Sequence, residues 1–443
     1  MRRSTIRMKV DQPTSSIIKA IIDKHAASKT ATFDLYKRYD QKDVPIQSRT
    51  MSDNKKPNNK LTHDYRGYII DQIVGYLWGK PISYQIDKLA YDESNYDKCI
   101  KQLSRFSILN SMDDLDSELG KRMSICGYAA RLLYIDKDGL ERVMNLNPWE
   151  VVFIQEGNER THAVRYYKVK AGADKKEERT RIEWYDNKQV TFYVEDDKGE
   201  YVLDQEEAKD HLYGYVPVIL FQNNDEEKGD FEKVEPLIDA YDKNRSDSVN
   251  ELETFASAYM GFTGVDVDDE VIAKMKQTGA LNLGEDGDAF FITKDINDSF
   301  VENTRKNLDR DIHKFSASVD MADEKFSGSS QTGESRKWKL ISLENKAATK
   351  SRKFSKGLRE QFKVLCSAWK KKNVPLDYLD MHWDFKRNLP IDLSYIAEYA
   401  SKLKGIQSDR TTLSQIPYID DVDYELQLMK EESEGVLDLD KVK

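Results

Sequence analysis

The sequence predicts an α+β protein built of several lobes. Two observations give the class. Apolar residues recur at intervals of three and four in long stretches on both sides of the chain's middle, and between Tyr128 and Phe221 the period switches to two. A third gives the lobes: the helical stretch 231–259 carries two apolar patches separated by about two turns with none. At 443 residues the chain exceeds one ordinary domain and fits roughly two to four.

Residues 1–56 carry one helix, with Ser15 or Ser16 as its cap and Ile17, Ile18, Ile21 and Ile22 as its apolar spacing. The polar run 48–59 reads as a mobile loop. Leu61, Tyr65, Tyr68, Ile69, Gln72, Ile73 and Tyr76 share one face of the next helix, which Gly79-Lys80-Pro81 stops. Residues 82–86 alternate as a strand, and 95–125 return to helical spacing. Strands are then expected at 130–135, 150–154, 162–169, 181–185, 190–194 and 200–203. Asp138-Gly139, Glu156-Gly157-Asn158 and Lys198-Gly199 supply the turns, and 217–221 closes one antiparallel region.

In the helix 231–259, Val234, Leu237, Ile238 and Tyr241 form the first patch, and Leu252, Phe255, Ala256 and Tyr259 the second. The polar run 242–248 between them would need partners inside a core, so this helix is expected to leave one lobe and cross a polar zone. A strand at 259–265, a helix at 268–277, a strand at 289–293 and a returning helix at 298–315 complete a stalk with a head on it. A Gly/Ser loop, 323–335, precedes the longest helical segment, 334–372, whose apolar stripe is Leu340, Leu343, Ala347, Phe354, Leu358, Phe362 and Leu365. Between Arg336 and Lys372 stand thirteen Lys and Arg against two Glu, a net of +11. This charge run has three readings: a solvated face, contact with acidic surfaces of other copies, or contact with nucleic acid. Its aromatic residues, Trp338 and Trp369 among them, fit a core better than base stacking. A strand at 381–386 and helices at 391–405 and 411–429 follow. Residues 420–443 hold nine acids and three Lys, a net of −6, and no internal repeat is visible.

The totals exclude several classes. A net charge of −10 argues against a surface that wraps and grips nucleic acid. With 24 Tyr, 16 Phe and 6 Trp the chain is not disordered at large. Cys99, Cys126 and Cys366 form no motif and read as ordinary thiols of a reducing compartment. No apolar run is long enough for a membrane span, and no apolar leader follows Met1. Residues 328–335 have the glycine spacing of a P-loop, but Glu334 stands where the phosphate-binding Lys belongs, so they read as a loop capping a helix through Ser335 or Thr332. None of the six histidines pairs at helical spacing with another His or Cys, so neither a metal site nor a catalytic one is expected.

Several strings, in order, carry a resemblance. Asn58-Asn59-Lys60, the Tyr-rich helix and Gly75-Tyr76-Leu77-Trp78-Gly79-Lys80-Pro81-Ile82 resemble the N-terminal signature of portal proteins from siphophages of Gram-positive hosts. Asp311-Ile312-His313-Lys314-Phe315, Val319-Asp320-Met321, Phe326-Ser327-Gly328 and Gly333-Glu334-Ser335-Arg336-Lys337-Trp338-Lys339-Leu340 resemble that family's tunnel-loop region, and Arg387-Asn388-Leu389-Pro390 a later string. Where the family's pattern tends to place Pro, this chain has Val319. The resemblance covers most of 55–430 and leaves the first 55 residues without a role beyond their helix.

The resemblance implies a portal fold with an N-terminal segment at 1–56 and a wing at 57–230. Stem helices at 231–260 and 297–321 flank a small α/β clip at 261–296. A tunnel loop at 322–335 precedes the rest of the wing, 336–390, with its long kinked basic helix; a helical crown and tail follow at 391–443. It implies a ring, usually dodecameric, at one capsid vertex, through which double-stranded DNA is packaged and ejected without sequence readout. The implied partners are other copies of the chain, the terminase large subunit, the head–tail adaptor, and the major capsid and scaffolding proteins. No enzyme activity, cofactor or membrane is implied, and the place is the virion, with the host cytoplasm during assembly. Asp323, Glu324, Lys325, Phe326, Ser327, Gly328, Ser329, Ser330, Gln331, Thr332 and Gly333 would face DNA. Arg305, Lys306, Arg310, Lys314 and Lys325 are the candidates for basic rings in a channel otherwise acidic or neutral, where many phosphate contacts would stall passage. The rival readings are another oligomeric head or tail protein, or a nucleic-acid-processing enzyme, which would need a carboxylate–metal cluster.

Overall fold

Thr14, rather than Ser15 or Ser16, caps the first helix: its hydroxyl accepts from the Ile17 amide at 3.4 Å. Ser15 is committed elsewhere, donating to Glu200 at 2.6 Å and accepting from the Tyr201 amide at 2.9 Å. The computed structural model describes residues 3–53, 56–171, 177–204, 208–256, 259–264, 268–279, 287–292, 298–321, 340–389, 398, 401–403, 405–414, 416, 419 and 422–439. The chain opens with β1 (Thr5–Arg7) and α1 (Ser15–Tyr39), then α2 (Tyr65–Trp78), capped by Asp64, and β2 (Ser83–Ile86). The helical stretch expected at 95–125 is two helices, α3 (Glu93–Asn110) and α4 (Met112–Cys126). Ser111 breaks it in a left-handed conformation, φ 47°.

The strand region holds β3 (Tyr128–Ile135), β4 (Glu141–Leu146), β5 (Val151–Glu156), β6 (Glu159–Ala171), β7 (Glu177–Tyr185), β8 (Gln189–Glu195), β9 (Tyr201–Leu203), β10 (Lys209–Asp210) and β11 (Val218–Gln222). It forms two sheets rather than one. The larger runs β1-β5-β6-β7-β8-β10 with β9 on β8, and the smaller runs β11-β3-β4. β1 is parallel to β5, pairing Thr5 with Phe153, so the N-terminal segment supplies a sheet strand as well as a helix.

Side-chain alternation stacks the layers. Val152 and Ile154 of β5, with Val164, Tyr166, Ile182 and Trp184, pack under Ile18 and Ile21 of α1. Val151 and Phe153 face the other way, onto Tyr128, Ala130, Leu132, Val218 and Leu220 of the smaller sheet. Ala129, Leu133, Ile219 and Phe221, on that sheet's far side, join a helical core with Leu77, Trp78, Phe106, Leu119 and Met123. The order is helix, large sheet, small sheet, helices. β3, β5 and β11 are covered on both faces, which is why Val218-Ile219-Leu220-Phe221 reads as a continuous apolar run.

After the sheets come α5 (Glu235–Ala256), β12 (Tyr259–Thr263), α6 (Asp269–Thr278), β13 (Asp288–Ile292) and α7 (Asp298–Ser316). β12 and β13 pair antiparallel, and α5 packs on α7. The long helix is α8 (Ile341–Lys371); its expected start at 334–339 lies outside the described residues. Phe354, Leu358, Phe362 and Trp369 bury its inner face in the helical core, as expected for Trp369, while Trp338 lies outside the described residues. Gly357 lets α8 close onto β11: a Cβ there would sit 2.4 Å from the Phe221 ring. β14 (Met381–Asp384) pairs antiparallel with β2, and α9 (Asp409–Ser414) and α10 (Val422–Leu439) end the chain. The helix expected at 391–405 falls mostly outside the described residues.

Candidate functional site

The paired helices α5 and α7, with the small sheet β12–β13 between them in sequence, are the elements expected over 231–315. Val234, just before α5, and Ile238 and Tyr241 of α5 pack with Ile312 of α7 and with Ile69 and Ile70 of α2. The polar run of α5, expected to cross a polar zone because a core would leave it without partners, is in part buried and finds them. Asp242 and Ser246 are fully buried, and Asn250 is nearly so. Their partners lie on the extended segment 59–63: the His63 amide donates to Asp242 Oδ1 (2.9 Å), the Leu61 amide to Ser246 Oγ (2.9 Å) and the Asn59 amide to Asn250 Oδ1 (2.7 Å). Four residues of helix rise about 6 Å and two residues of extended chain about 6.6 Å, so every second amide of the strap meets every fourth residue of α5. Arg49 fastens the strap, donating to Asp247 (2.6 Å), the Asn59 carbonyl (2.7 Å) and Asn58 Oδ1 (3.0 Å). The expectation of a mobile loop at 48–59 is corrected for its two ends, where Arg49, Asn58 and Asn59 are pinned; residues 54 and 55 lie outside the described residues.

Where α5 and α7 meet α2, aromatic rings gather. Tyr241 stands edge-on to His63 (4.9 Å) and Tyr65 (5.0 Å), and His313 edge-on to Tyr65 (5.9 Å) and Tyr68 (5.5 Å). The Tyr65 hydroxyl donates to Asp309 at 2.5 Å; burial and that bond push the phenol far above its ordinary range. Burial also pushes the Asp242 carboxyl up, against the bonds from His63. Arg66, fully buried, clamps Glu235 with two bonds (2.8 and 3.1 Å) and Asp239 with a third (2.7 Å).

The structure brings Lys306, Arg310 and Lys314 together as an exposed row along α7 at four-residue steps. Arg305 lies off that row, half-buried, with Glu302 at 2.5 Å. Two of the three have a carboxylate on their own helix: Glu302, shared with Arg305, lies 3.5 Å from Lys306 and Asp311 3.1 Å from Arg310. The Glu302 carboxyl is held down to about 2, chiefly by Arg305. Lys314 stands over the Phe315 ring. The expected DNA-facing residues 323–333, Lys325 included, lie outside the described residues, as does the P-loop-like string. The chain leading to them is fixed. Val319 donates its amide to Gln72 Oε1 (2.6 Å), while its carbonyl accepts from Gln72 Nε2 (2.7 Å) and Tyr68 (2.6 Å). A proline could not make the first of these bonds, which accounts for a non-proline residue here.

On α8 the basic residues sort into two sets. Lys350 is buried, bonded to Asp230 (2.6 Å), Ser124 (2.7 Å) and Asn223; burial pulls its pKa down against the opposing pull of Asp230. Arg352, Lys356, Arg359 and Lys363 are exposed and line an open groove of about 460 Å³ with Ser355, Glu360 and Tyr378. Arg359 stands over Trp383 and Lys363 over Tyr215. Among the described residues none of the four makes an ion pair, and Glu360 pairs with Arg160 instead. The three cysteines are buried and free. Among the described residues no helix is long and apolar enough to cross a membrane.

A family model described as "Phage portal protein, SPP1 Gp6-like" matches residues 18–437. The chain belongs to this phage portal family. It is similar to the portal protein of Bacillus phage SPP1, 24% identical over 456 residues, which cover 96% of this chain and 87% of the relative. It is also similar to the portal protein of Clostridium phage phiCD119, 23% identical over 447 residues, 94% of this chain and 95% of that one. The family match begins at 18, inside α1, so it reaches further toward the N-terminus than the resemblance read from residue 55 onward. Within a portal chain, the Asn58-Asn59-Lys60 string is the start of the strap that satisfies α5.

Proposed function

We propose that copies of this chain, twelve in the usual arrangement, close into the ring at one capsid vertex through which double-stranded DNA is packaged and ejected. In this reading α5 and α7 are the stem, β12, α6 and β13 the clip, the sheets with α8 the wing, and the C-terminal helices the crown. The clip docks first the terminase large subunit and later the head–tail adaptor, while major capsid and scaffolding proteins meet the wing. Segment 322–335 is the tunnel loop facing DNA, and Arg305, Lys306, Arg310, Lys314 and Lys325 are the channel's sparse basic rings. The chain acts as a structural conduit in the virion, assembled in the host cytoplasm, and ATP hydrolysis belongs to the motor it docks. The observation that carries the reading is the family match spanning the stalk and both sheets.

Negative-stain microscopy of the purified protein tests it: rings with a central hole are expected. Deleting 261–296 should leave rings that no longer bind the terminase large subunit. Solid or open assemblies, or terminase binding that survives the deletion, would overturn the conduit or the clip assignment respectively.

A further inference from the structure

Asp309 and His313 stand four residues apart on α7, one turn above the other, and Asp320 returns to them after the helix ends. Ala317, at φ 58°, makes that return possible. One ligand atom from each of the three side chains lies within 4.8 Å of the other two, and all three are half-buried. We propose that Asp309, His313 and Asp320 bind a single divalent transition-metal ion of the zinc class.

The surroundings hold these side chains as outer ligands of a metal site are held. Ser318 Oγ lies 2.9 Å from His313 Nδ1. A proton on Nδ1 donated to that oxygen leaves the Nε2 lone pair directed at the cluster, where Asp309 Oδ1 lies 3.6 Å away. Tyr65 donates to the same Asp309 oxygen and fixes the carboxylate's plane. The residues on either side of Asp320 are tied to α2: Val319 through both its amide and its carbonyl, and Met321 through its amide on Tyr68. A histidine–aspartate ion pair would not need Asp320 or this support.

The donor set selects the metal. One imidazole nitrogen with two carboxylates suits zinc, cobalt or manganese, whereas magnesium and calcium take oxygen ligands throughout. Three protein ligands leave a position for water. The ion would clamp the last turn of α7 to the chain just before residue 322. Reading for His or Cys partners alone missed the site, because the helical partner of His313 is an aspartate.

The test uses the full-length protein stripped with chelator and titrated with zinc chloride by calorimetry. One equivalent per chain is expected, with a rise in Tm that magnesium at the same concentration does not give. Cobalt should bind in its place and develop visible d–d bands. Asp320→Asn and His313→Gln should each abolish the one-equivalent event in metal-free protein that circular dichroism shows to be folded. Tyr65→Phe should weaken binding about ten- to a hundredfold. If Asp320→Asn does not fold, His313→Gln and the cobalt spectrum decide. No saturable zinc binding, binding unchanged in the folded ligand variants, or magnesium binding as tight as zinc would each overturn the site.

Discussion

His25 sits on α1 against the large sheet, its Nδ1 2.8 Å from the Tyr166 hydroxyl, and its Nε2 has no partner among the described residues. A second proton would therefore be buried without an acceptor, and burial, with Lys29 nearby, lowers its pKa to about 4. In the unfolded chain the group titrates near 6.5. Between those values the unfolded state binds a proton that the folded state refuses. The contribution is thus complete above pH 6.5 and is lost as pH falls to about 4, by at most about 3 kcal/mol. Urea unfolding at stepped pH should show this slope in the wild type, and His25→Phe should remove it while costing some stability at every pH through the unpaired Tyr166 hydroxyl. At the start of the strap, Asn250 Oδ1 accepts from both the Asn59 amide and the Asn59 side chain, at 2.7 and 2.9 Å. Asn250→Leu strands the buried amide and should cost about 1–3 kcal/mol. Limited proteolysis should then cut within 48–60 first; unchanged cleavage there would show that the strap does not depend on this bond.

Helix α8 carries two kinds of cation, and substitution should separate them. Lys350→Ala leaves buried Asp230 with Lys346, 3.4 Å away, as its remaining counter-charge and should destabilise by at most about 3–5 kcal/mol. Reversing Arg352, Lys356, Arg359 and Lys363 together to Glu removes no ion pair seen among the described residues, so thermal and urea unfolding should shift by less than about 1 kcal/mol. The same variant should assemble rings less readily at low salt if the groove meets acid on a neighbouring copy, which native mass spectrometry reads directly. The net +11 of this segment was plain in the sequence, but not which lysine was core: Lys350 shares its face with Leu343, Ala347 and Phe354, and only the position of Asp230 shows that a charge can sit there. Other elements were legible in proportion to how locally they are determined. The expected bounds of α7 and α6 lie within one residue of those observed. β4 was missed because Glu141, Arg142 and Asn145 interrupt its alternation, although Asn145 bonds to Arg131 and the Leu115 carbonyl. β1 was missed because three residues give no period. The buried polar face of α5 looked like a crossing of a polar zone because its partners stand roughly 180–190 residues earlier in the chain.

At the scale of the whole molecule the charge balance makes a prediction about DNA. Each chain carries −10, and two of the three exposed cations of α7, Lys306 and Arg310, stand beside Glu302 and Asp311. A protein that neutralises six to ten phosphates loses about 10³–10⁵ in affinity between 50 and 200 mM salt, because each contact releases a counterion. A ring that contributes only one or two net contacts per bound duplex should lose about tenfold or less over the same range. Fluorescence anisotropy of a labelled duplex against purified rings measures the slope. Lys306→Ala, Arg310→Ala and Lys314→Ala combined should flatten it by about one contact, since Lys306 and Arg310 already stand beside carboxylates. A steep slope that these substitutions abolish would mean that α7 grips DNA. A shallow slope fits a channel past which a polyanion slides, with Lys306 and Arg310 of α7 already beside Glu302 and Asp311.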